Sequence, residues 1–316
     1  MGFNPDHIRQ LRPVFTAAKP NDRPGMTPLA VQRYWQYYGL DFPELGAIAH
    51  RFGYLSSGTF QLACHHWLPE RAQGTVFVLH GYFDHVGIYR HMIAGLLAQQ
   101  LAVVAFDLPG HGLSSGTPAA IDDFAHYQSA LNTVMTSLNG RSPAPWHALA
   151  QSTGGAILMD HLLSQPAATP FHKTALLAPL VRPYKWQYGR HLHTLISPFT
   201  PGVKRMFSVN SGDPEFLDFL ENKDPLQARY LSARWVSALK RWIPYFLSLP
   251  ACHHRPLVLQ GDKDETVDWR YNLSVIKRKF DRPSVVILPG ARHQLANETV
   301  NYRDKIMTNV RRLLNE

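Results

Sequence analysis

The sequence predicts an α/β protein: a mostly parallel β-sheet with helices on both faces, interrupted by an inserted helical cap. Three observations carry that expectation. From residue 75 onward, short apolar runs alternate with amphipathic stretches of helical period. The runs are continuous rather than alternating, so both faces of each strand must be covered, as in parallel sheets. The rhythm stops at about residue 182 and resumes at Pro256.

The elements follow in order. Residues 1–45 form a polar, proline-rich lead-in with one short helix over Pro28–Tyr38, packing on the core. A strand pair comes next, His50–Tyr54 and Thr59–Trp67, turned at Ser56-Ser57-Gly58. Thr75–Leu79 is the first parallel strand and runs into His80-Gly81; Tyr89–Gln99 has helical period, and Leu101–Asp107 is the next strand. Ile121–Leu138 is an amphipathic helix with Asp122 and Asp123 in its first turn, where the helix dipole favours acids. Trp146–Ala150 is a strand, Gly154–Leu163 a helix and Thr174–Leu180 a strand. Beyond the interruption come a strand at Pro256–Leu259, a helix over Trp269–Lys279, a strand at Ser284–Leu288 and a last helix over Ala296–Leu314. The core therefore comprises residues 46–181 and 255–316, and the cap residues 182–254. The cap shows helices at Pro214–Leu220 and Gln227–Trp242, no clear strand, and 12 aromatic residues with a net charge of +5. Its place in the chain puts it over the carboxyl edge of the sheet, where open α/β sheets bind ligands.

Composition excludes several classes. With 316 residues, 45% hydrophobic content and a mean hydropathy of −0.21, the chain has a large core and is not disordered. No apolar run approaches the ~18 residues of a membrane span, and the start lacks the pattern of a secretory signal, so a cytoplasmic location is expected. Cys64 and Cys252 each sit in a Cys-His-His triplet, but neighbouring residues of an extended chain face opposite ways, so no metal site is expected. The formal charge of +9 is scattered without a nucleic-acid motif. No nucleic acid partner is expected; weak contact with an anionic lipid surface through the basic cap is.

Chemistry points to a nucleophilic serine. Gly112-Leu113-Ser114-Ser115-Gly116 matches G-x-S-x-G, but no helix follows it directly, so Ser114 is assigned to loop structure. In Ala150-Gln151-Ser152-Thr153-Gly154-Gly155 a strand runs straight in and a helix straight out, and the glycines let the helix start against the strand. Ser152 is the expected nucleophile. The acid should follow the strand after the cap, in Gly261-Asp262-Lys263-Asp264-Glu265. Asp264 lies beyond the first bend of that loop; Asp262 suits turn hydrogen bonds, and Glu265 is the weaker alternative. Among 17 histidines, His293 occupies the loop after the final strand, which reaches the same sheet edge, and Glu298 can brace the next helix. The backbone N–H groups of Thr153 and Tyr82 are the expected oxyanion donors, with His80 and His85 holding the Tyr82 loop.

These residues resemble the α/β-hydrolase superfamily, and within it the monoacylglycerol lipase and bacterial lysophospholipase group. The likeness rests on His80-Gly81-Tyr82 with Asp84-His85, Phe106-Asp107-Leu108-Pro109-Gly110-His111-Gly112 with Ser114-Ser115-Gly116, and Gln151-Ser152-Thr153-Gly154-Gly155. Gly261-Asp262-Lys263-Asp264 with Val267, and Gly290-Ala291-Arg292-His293 with Glu298, complete it. It covers about residues 60–180 and 255–314, leaving the cap outside. Ala150 replaces the group's usual glycine, and Thr153 stands where monoacylglycerol lipases commonly carry methionine. The resemblance implies an eight-stranded sheet, a Ser152–Asp264–His293 triad, no cofactor, and a small acyl ester as substrate, of monoacylglycerol or lysophospholipid type. The rival readings are a serine aminopeptidase or amidase, a C–C bond hydrolase, and a non-enzymatic binder. A peptidase would need an acidic anchor, for which Asp213, Glu215, Asp218 and Glu221 form the cap's acidic cluster.

Overall fold

The computed structural model describes residues 2–19 and 27–316; of the expected lead-in, residues 1 and 20–26 lie outside the described residues. Helices α1 (Pro5–Leu11) and α2 (Leu29–Tyr38) precede an antiparallel strand pair, β1 (Ile48–Ser57) and β2 (Phe60–Pro69). The chain then alternates through β3 (Thr75–Leu79), α3 (Arg90–Leu97), β4 (Ala102–Phe106), α4 (Ala125–Leu138), β5 (Trp146–Gln151), α5 (Thr153–Ser164) and β6 (Phe171–Leu177). An insertion follows with α6 (Trp186–Ile196), β7 (Gly202–Lys204), α7 (Pro214–Asp218), β8 (Tyr230–Ser232) and α8 (Ala233–Ser248). The last elements are β9 (Leu257–Gly261), α9 (Trp269–Lys279), β10 (Ser284–Leu288) and α10 (Val300–Asn315).

Eight strands make one sheet in the order β1-β2-β4-β3-β5-β6-β9-β10, parallel from β4 onward. Side chains alternate between its two faces, and each face has its own core. Phe77, Leu79, Ala148, Ala150 and Leu176 point toward α4 and α5, meeting Tyr127, Leu131, Ile157 and Leu162. Val76, Val78, Leu149, Ala175 and Leu177 point the other way, onto Met92 and Ile93 of α3 and Ile306 and Val310 of α10. Both faces are dry, which is why these strands read as unbroken apolar runs. Among the described residues no helix is long and apolar enough to cross a membrane.

Several boundaries differ from the sequence reading. Helix α4 starts at Ala125, so Asp122 and Asp123 precede it instead of lying in its first turn. Asp123 Oδ1 accepts the N–H of Ala125 (2.8 Å), while Asp122 is drawn to Arg234 of α8 (2.6 Å). Strand β6 ends at Leu177 because Ala178 turns with φ +44° and Leu180 N–H donates to Ser152 O (3.1 Å). The insertion contains strands after all: β7 and β8 pair antiparallel, Gly202 opposite Ser232. That pairing claims residues 230–232, so the helix expected from Gln227 begins at Ala233; it then runs through Pro244 to Ser248. Helix α6 is a further element that the sequence reading lacks.

The histidine triplet at Cys64 behaves as ordinary core. His65 Nδ1 meets His50 Nε2 (2.9 Å) on one face of β2, and His66 Nδ1 accepts the N–H of Ala18 (3.0 Å) on the other.

Candidate active site

Between β5 and α5 the chain reverses within one residue, Ser152, at φ +52° and ψ −113°. A non-glycine residue there is strained and persists only where its surroundings hold it. They do: Ser152 N–H donates to Leu177 O (2.9 Å), and Ser152 O accepts from Ala156 N–H (3.0 Å) and Leu180 N–H (3.1 Å). The turn also needs α5 pressed against the end of β3. A Cβ on Gly154 would lie 2.4 Å from Leu79 O, so no side chain fits between them. Ala150 is fully buried, and its methyl group fits where the resemblance expects glycine.

Asp264 and His293 arrive from the loops after β9 and β10, which are adjacent strands. His293 Nε2 lies 3.0 Å from Ser152 Oγ, and His293 Nδ1 lies 2.8 Å from Asp264 Oδ2. All three side chains are buried. Asp264 Oδ1 accepts the N–H groups of Thr266 (2.8 Å) and Val267 (3.1 Å), and Gln260 Nε2 donates to Oδ2 (3.0 Å). Burial raises the Asp264 pKa, but the attraction of His293 and these donors outweigh it, so the carboxyl stays below its ordinary value. Burial lowers His293, yet the Asp264 carboxylate, helped by Asp84, lifts it above its ordinary value. A carboxylate bonded at Nδ1 sets the tautomer that leaves Nε2 free to accept the serine proton.

The loop after β3 completes the wall facing Ser152. A Cβ on Gly81 would lie 3.3 Å from Ser152 Cβ and 2.8 Å from Asp84 Oδ2, so the loop passes close only because residue 81 has no side chain. No acceptor among the described residues meets the N–H of Tyr82, and Thr153 N–H, at the first position of α5, has no intrahelical partner. Both residues line the same cavity as Ser152. His80 ties the loop to the β4 turn, with Nδ1 2.7 Å from Gly81 O and Nε2 accepting Leu108 N–H (2.9 Å). His85 is held instead by the insertion, its Nε2 lying 2.8 Å from Asp224 Oδ2.

A buried hydrogen-bond network that the sequence pattern does not reveal supports the site. Asp84 Oδ1 accepts from Gln294 Nε2 (2.6 Å), Asp84 Oδ2 from Tyr89 OH (2.9 Å), and Gln294 Oε1 from Gln151 Nε2 (2.6 Å). It ties the neighbours of Ser152, His293 and Tyr82 together. Its one trace in the sequence is position, since Gln151 and Gln294 directly flank the two reacting side chains. Glu298 braces the same loop: Oε1 accepts Arg292 N–H (2.8 Å), and Oε2 accepts Gly212 N–H (2.9 Å) from the insertion.

Ser152, Thr153, Tyr82 and His293 open into a cavity of about 390 Å³ between the sheet edge and the insertion. Trp186, Gly189, Leu192, His193 and Ile196 all line it, so α6 turns one face to the cavity at a spacing the sequence already carried. Trp235 of α8 stacks on Tyr82, with ring centroids 3.9 Å apart, while Trp242 stacks on Phe124 beneath (5.0 Å). The aromatics of the insertion thus divide between the cavity wall and the core. Other candidates lie elsewhere. Ser114 Oγ donates to Asp107 O (2.6 Å) and accepts Ala63 N–H (2.9 Å), Asp262 accepts Gly290 N–H (2.7 Å), and Glu265 is exposed.

Residues 70–300 match the family described as Hydrolase_4, serine aminopeptidase, S33. The chain belongs to that family. It is 29% identical over 273 residues to the monoglyceride lipase of Mus musculus, covering 79% of this chain and 85% of that one. It is 25% identical over 253 residues to the monoacylglycerol lipase of Mycolicibacterium smegmatis, covering 73% and 85% respectively. In three dimensions it is similar to a soluble variant of monoglyceride lipase from Saccharomyces cerevisiae, with a TM-score of 0.71, 16% identity, and coverage of 82% of this chain and 92% of that one. The family member thus has the α/β-hydrolase fold that its motifs implied.

Proposed function

We propose that this member of the family is a serine hydrolase that cleaves carboxylic esters of single acyl chains, of monoacylglycerol or lysophospholipid type, through an acyl-enzyme. The observation that carries the reading is the continuous hydrogen-bonded line from Asp264 through His293 to Ser152, ending in an apolar cavity. His293 takes the serine proton as Oγ attacks the ester carbonyl. The N–H groups of Tyr82 and Thr153 receive the oxyanion, and His293 returns the proton to the departing alcohol. Water activated by the same imidazole then releases the acid. Residues 182–254 act as the cap, with Trp186, Leu192 and Ile196 of α6 as the wall for the acyl chain.

The acidic cluster that would anchor an aminopeptidase substrate does not reach the cavity, and the one carboxylate that lines it beside Ser152, Asp84, is engaged by Gly81, Tyr89 and Gln294. None of Asp213, Glu215, Asp218 and Glu221 lines the cavity. Asp213 caps α7 and pairs with Arg303 (3.4 Å), and Asp218 pairs with Lys223. The monoglyceride lipases to which the chain is similar over most of its length support the ester reading.

The pH profile follows from the imidazole. The base must be neutral, so kcat/KM should rise with pH through the free-enzyme value of His293, which lies above that of an ordinary histidine. In Asp264→Asn the carboxylate that raises it is gone, and the acid limb should move to lower pH as the rate falls. A profile on a soluble p-nitrophenyl ester reads both; a limb that stays in place in the variant rules out the pairing.

The proposal extends to a cytoplasmic enzyme whose cap touches anionic lipid. Tyr188, Phe199 and Met206 are 72%, 88% and 91% exposed, close in sequence to Lys185, Arg190 and Lys204. Exposed apolar side chains among cations suit an anionic interface. Sedimentation with phosphatidylglycerol vesicles should carry the protein down, less so in high salt and less so for Phe199→Ser with Met206→Ser. Equal partition into phosphatidylcholine vesicles would dismiss the basic contribution.

A further inference from the structure

The lining of the cavity is mostly apolar, and among the described residues Arg205 is its one arginine or lysine. Arg205 follows β7, and its N–H continues the strand pairing to Arg229 O (2.9 Å). Its guanidinium lies over the rings of Phe83 (4.1 Å) and Phe207 (4.4 Å), and Nη1 donates to Gln227 Oε1 (2.6 Å). Among the described residues no carboxylate lies within 4.0 Å of it. The nearby carboxylates are already engaged. Asp84 accepts from Gly81, Tyr89 and Gln294, and Asp224 from Tyr38, His85, Leu226 and Gln227. Burial pulls the guanidinium pKa down to about 10, so it remains a cation at neutral pH. Arg205 lines the cavity together with Ser208 and Asn210, and Ser152 and His293 line the same cavity.

A guanidinium offers five N–H donors in a planar fork that matches two oxygens of one anion. Here the fork is clamped by two rings, holds one neutral acceptor, and has lost part of its hydration. We propose that Arg205 is a specificity-determining residue whose guanidinium binds an anionic group, phosphate or carboxylate, on the alcohol side of the scissile ester. The assignment of sides follows from the neighbours: Asn210 O accepts the N–H of Gln294 (2.8 Å), beside the His293 that returns the proton to the alcohol, and Arg205 and Ser208 line the cavity from that same segment, while Leu192, Ile196 and Val236 supply apolar lining for the chain. This inference rests on the ester-hydrolase reading. It goes beyond it by ranking anionic single-chain esters above neutral monoacylglycerols.

The test compares three monomeric substrates with the same acyl chain: monodecanoylglycerol, its phosphate monoester, and decanoyl glycolate. For the unmodified protein, kcat/KM should favour at least one anionic ester over the neutral one by ~10-fold or more, the gain expected of a charge-assisted pair. The phosphate and the carboxylate arms tell which anion is taken. Arg205→Gln should lose that preference, falling ~30-fold on the anionic ester and staying within about threefold on the neutral one. Arg205→Lys keeps the charge without the fork and should fall between the two, reading the same ratio if the glutamine variant does not fold. An equal fall on all three esters would assign Arg205 to packing against Phe83 and overturn the proposal, as would a native preference for the neutral ester. Ser152-dependent turnover of p-nitrophenyl esters separates failure of this inference from failure of the ester reading; loss of turnover on every ester ends both.

Discussion

Replacing Ser152 by alanine is expected to lower kcat on acyl esters by ~10⁵–10⁶-fold while leaving the fold intact. Only Oγ is removed, and the bonds that hold the turn are made by the backbone of residue 152 to Leu177, Ala156 and Leu180. The size of the loss reflects how the group works: without a nucleophile, neither the base nor the oxyanion donors have an intermediate to act on. Hydrolysis of p-nitrophenyl esters of two to sixteen carbons, with an aminoacyl anilide alongside, gives the measurement. Ester turnover with a burst in the native protein and neither in Ser152→Ala is the expected result, and the favoured chain length sizes the cavity. Anilide cleavage without ester turnover would move the reading to a peptidase. Activity retained near the native level would point to another nucleophile. Ser114, the serine of the literal G-x-S-x-G match, is poorly placed for that role, since its Oγ is bonded to Asp107 O and Ala63 N–H under the sheet edge.

The largest expected stability effect belongs to Asp224. Its carboxylate has no exposed surface, and neither has the side chain of His85. Oδ1 accepts Tyr38 OH (2.6 Å) and Leu226 N–H (3.0 Å), and Oδ2 accepts His85 Nε2 (2.8 Å) and Gln227 Nε2 (3.0 Å). His85 Nδ1 accepts Gly87 N–H (3.1 Å), so its proton sits on the nitrogen facing Asp224. One side chain therefore ties the region before the sheet, the loop after β3 and the insertion together. Asp224→Ala strands four buried donors and should cost about 3–5 kcal/mol in urea unfolding. Burial raises the Asp224 pKa, but His85 and the other donors outweigh it and hold the group down to about 2, below its ordinary 3.8. The folded state thus binds this proton less readily than the unfolded chain. Its contribution is complete above 3.8 and disappears as pH falls through about 2. A loss below about 1 kcal/mol would show that water replaces the carboxylate at little cost, and a loss unchanged on acidification would show that the fold does not hold its pKa down.

Much of the molecule was legible because it obeys local rules. The apolar runs of β3, β4 and β9 report burial on both faces, and Trp269–Lys279 and Ser284–Leu288 lie where periodicity puts them. Ser152, Asp264 and His293 are legible from position alone, each in a loop at the carboxyl end of a parallel strand, and in the structure His293 lies 3.0 Å from Ser152 and 2.8 Å from Asp264. A tight turn between strand and helix leaves a pattern in adjacent residues, small side chains at 150, 154 and 155 around Ser152, that needs no knowledge of distant contacts.

The insertion obeys no such rule. Strands β7 and β8 are three residues each and 25 residues apart, too short to show alternation and formed only because each finds the other. Helix α6 faces a cavity rather than a core, so Leu195 and Tyr188 stay exposed and its apolar stripe is diluted. Asp122 looked like a helix-dipole residue until Arg234, 112 positions away, claimed it. The same holds for the charges that set chemistry. Arg205 and Asp224 are two of fifteen charged residues in a stretch that reads as net basic. Which of them is buried against an acceptor and which faces the cavity depends on which donors and acceptors long-range packing brings near, and single-chain patterns carry no record of that.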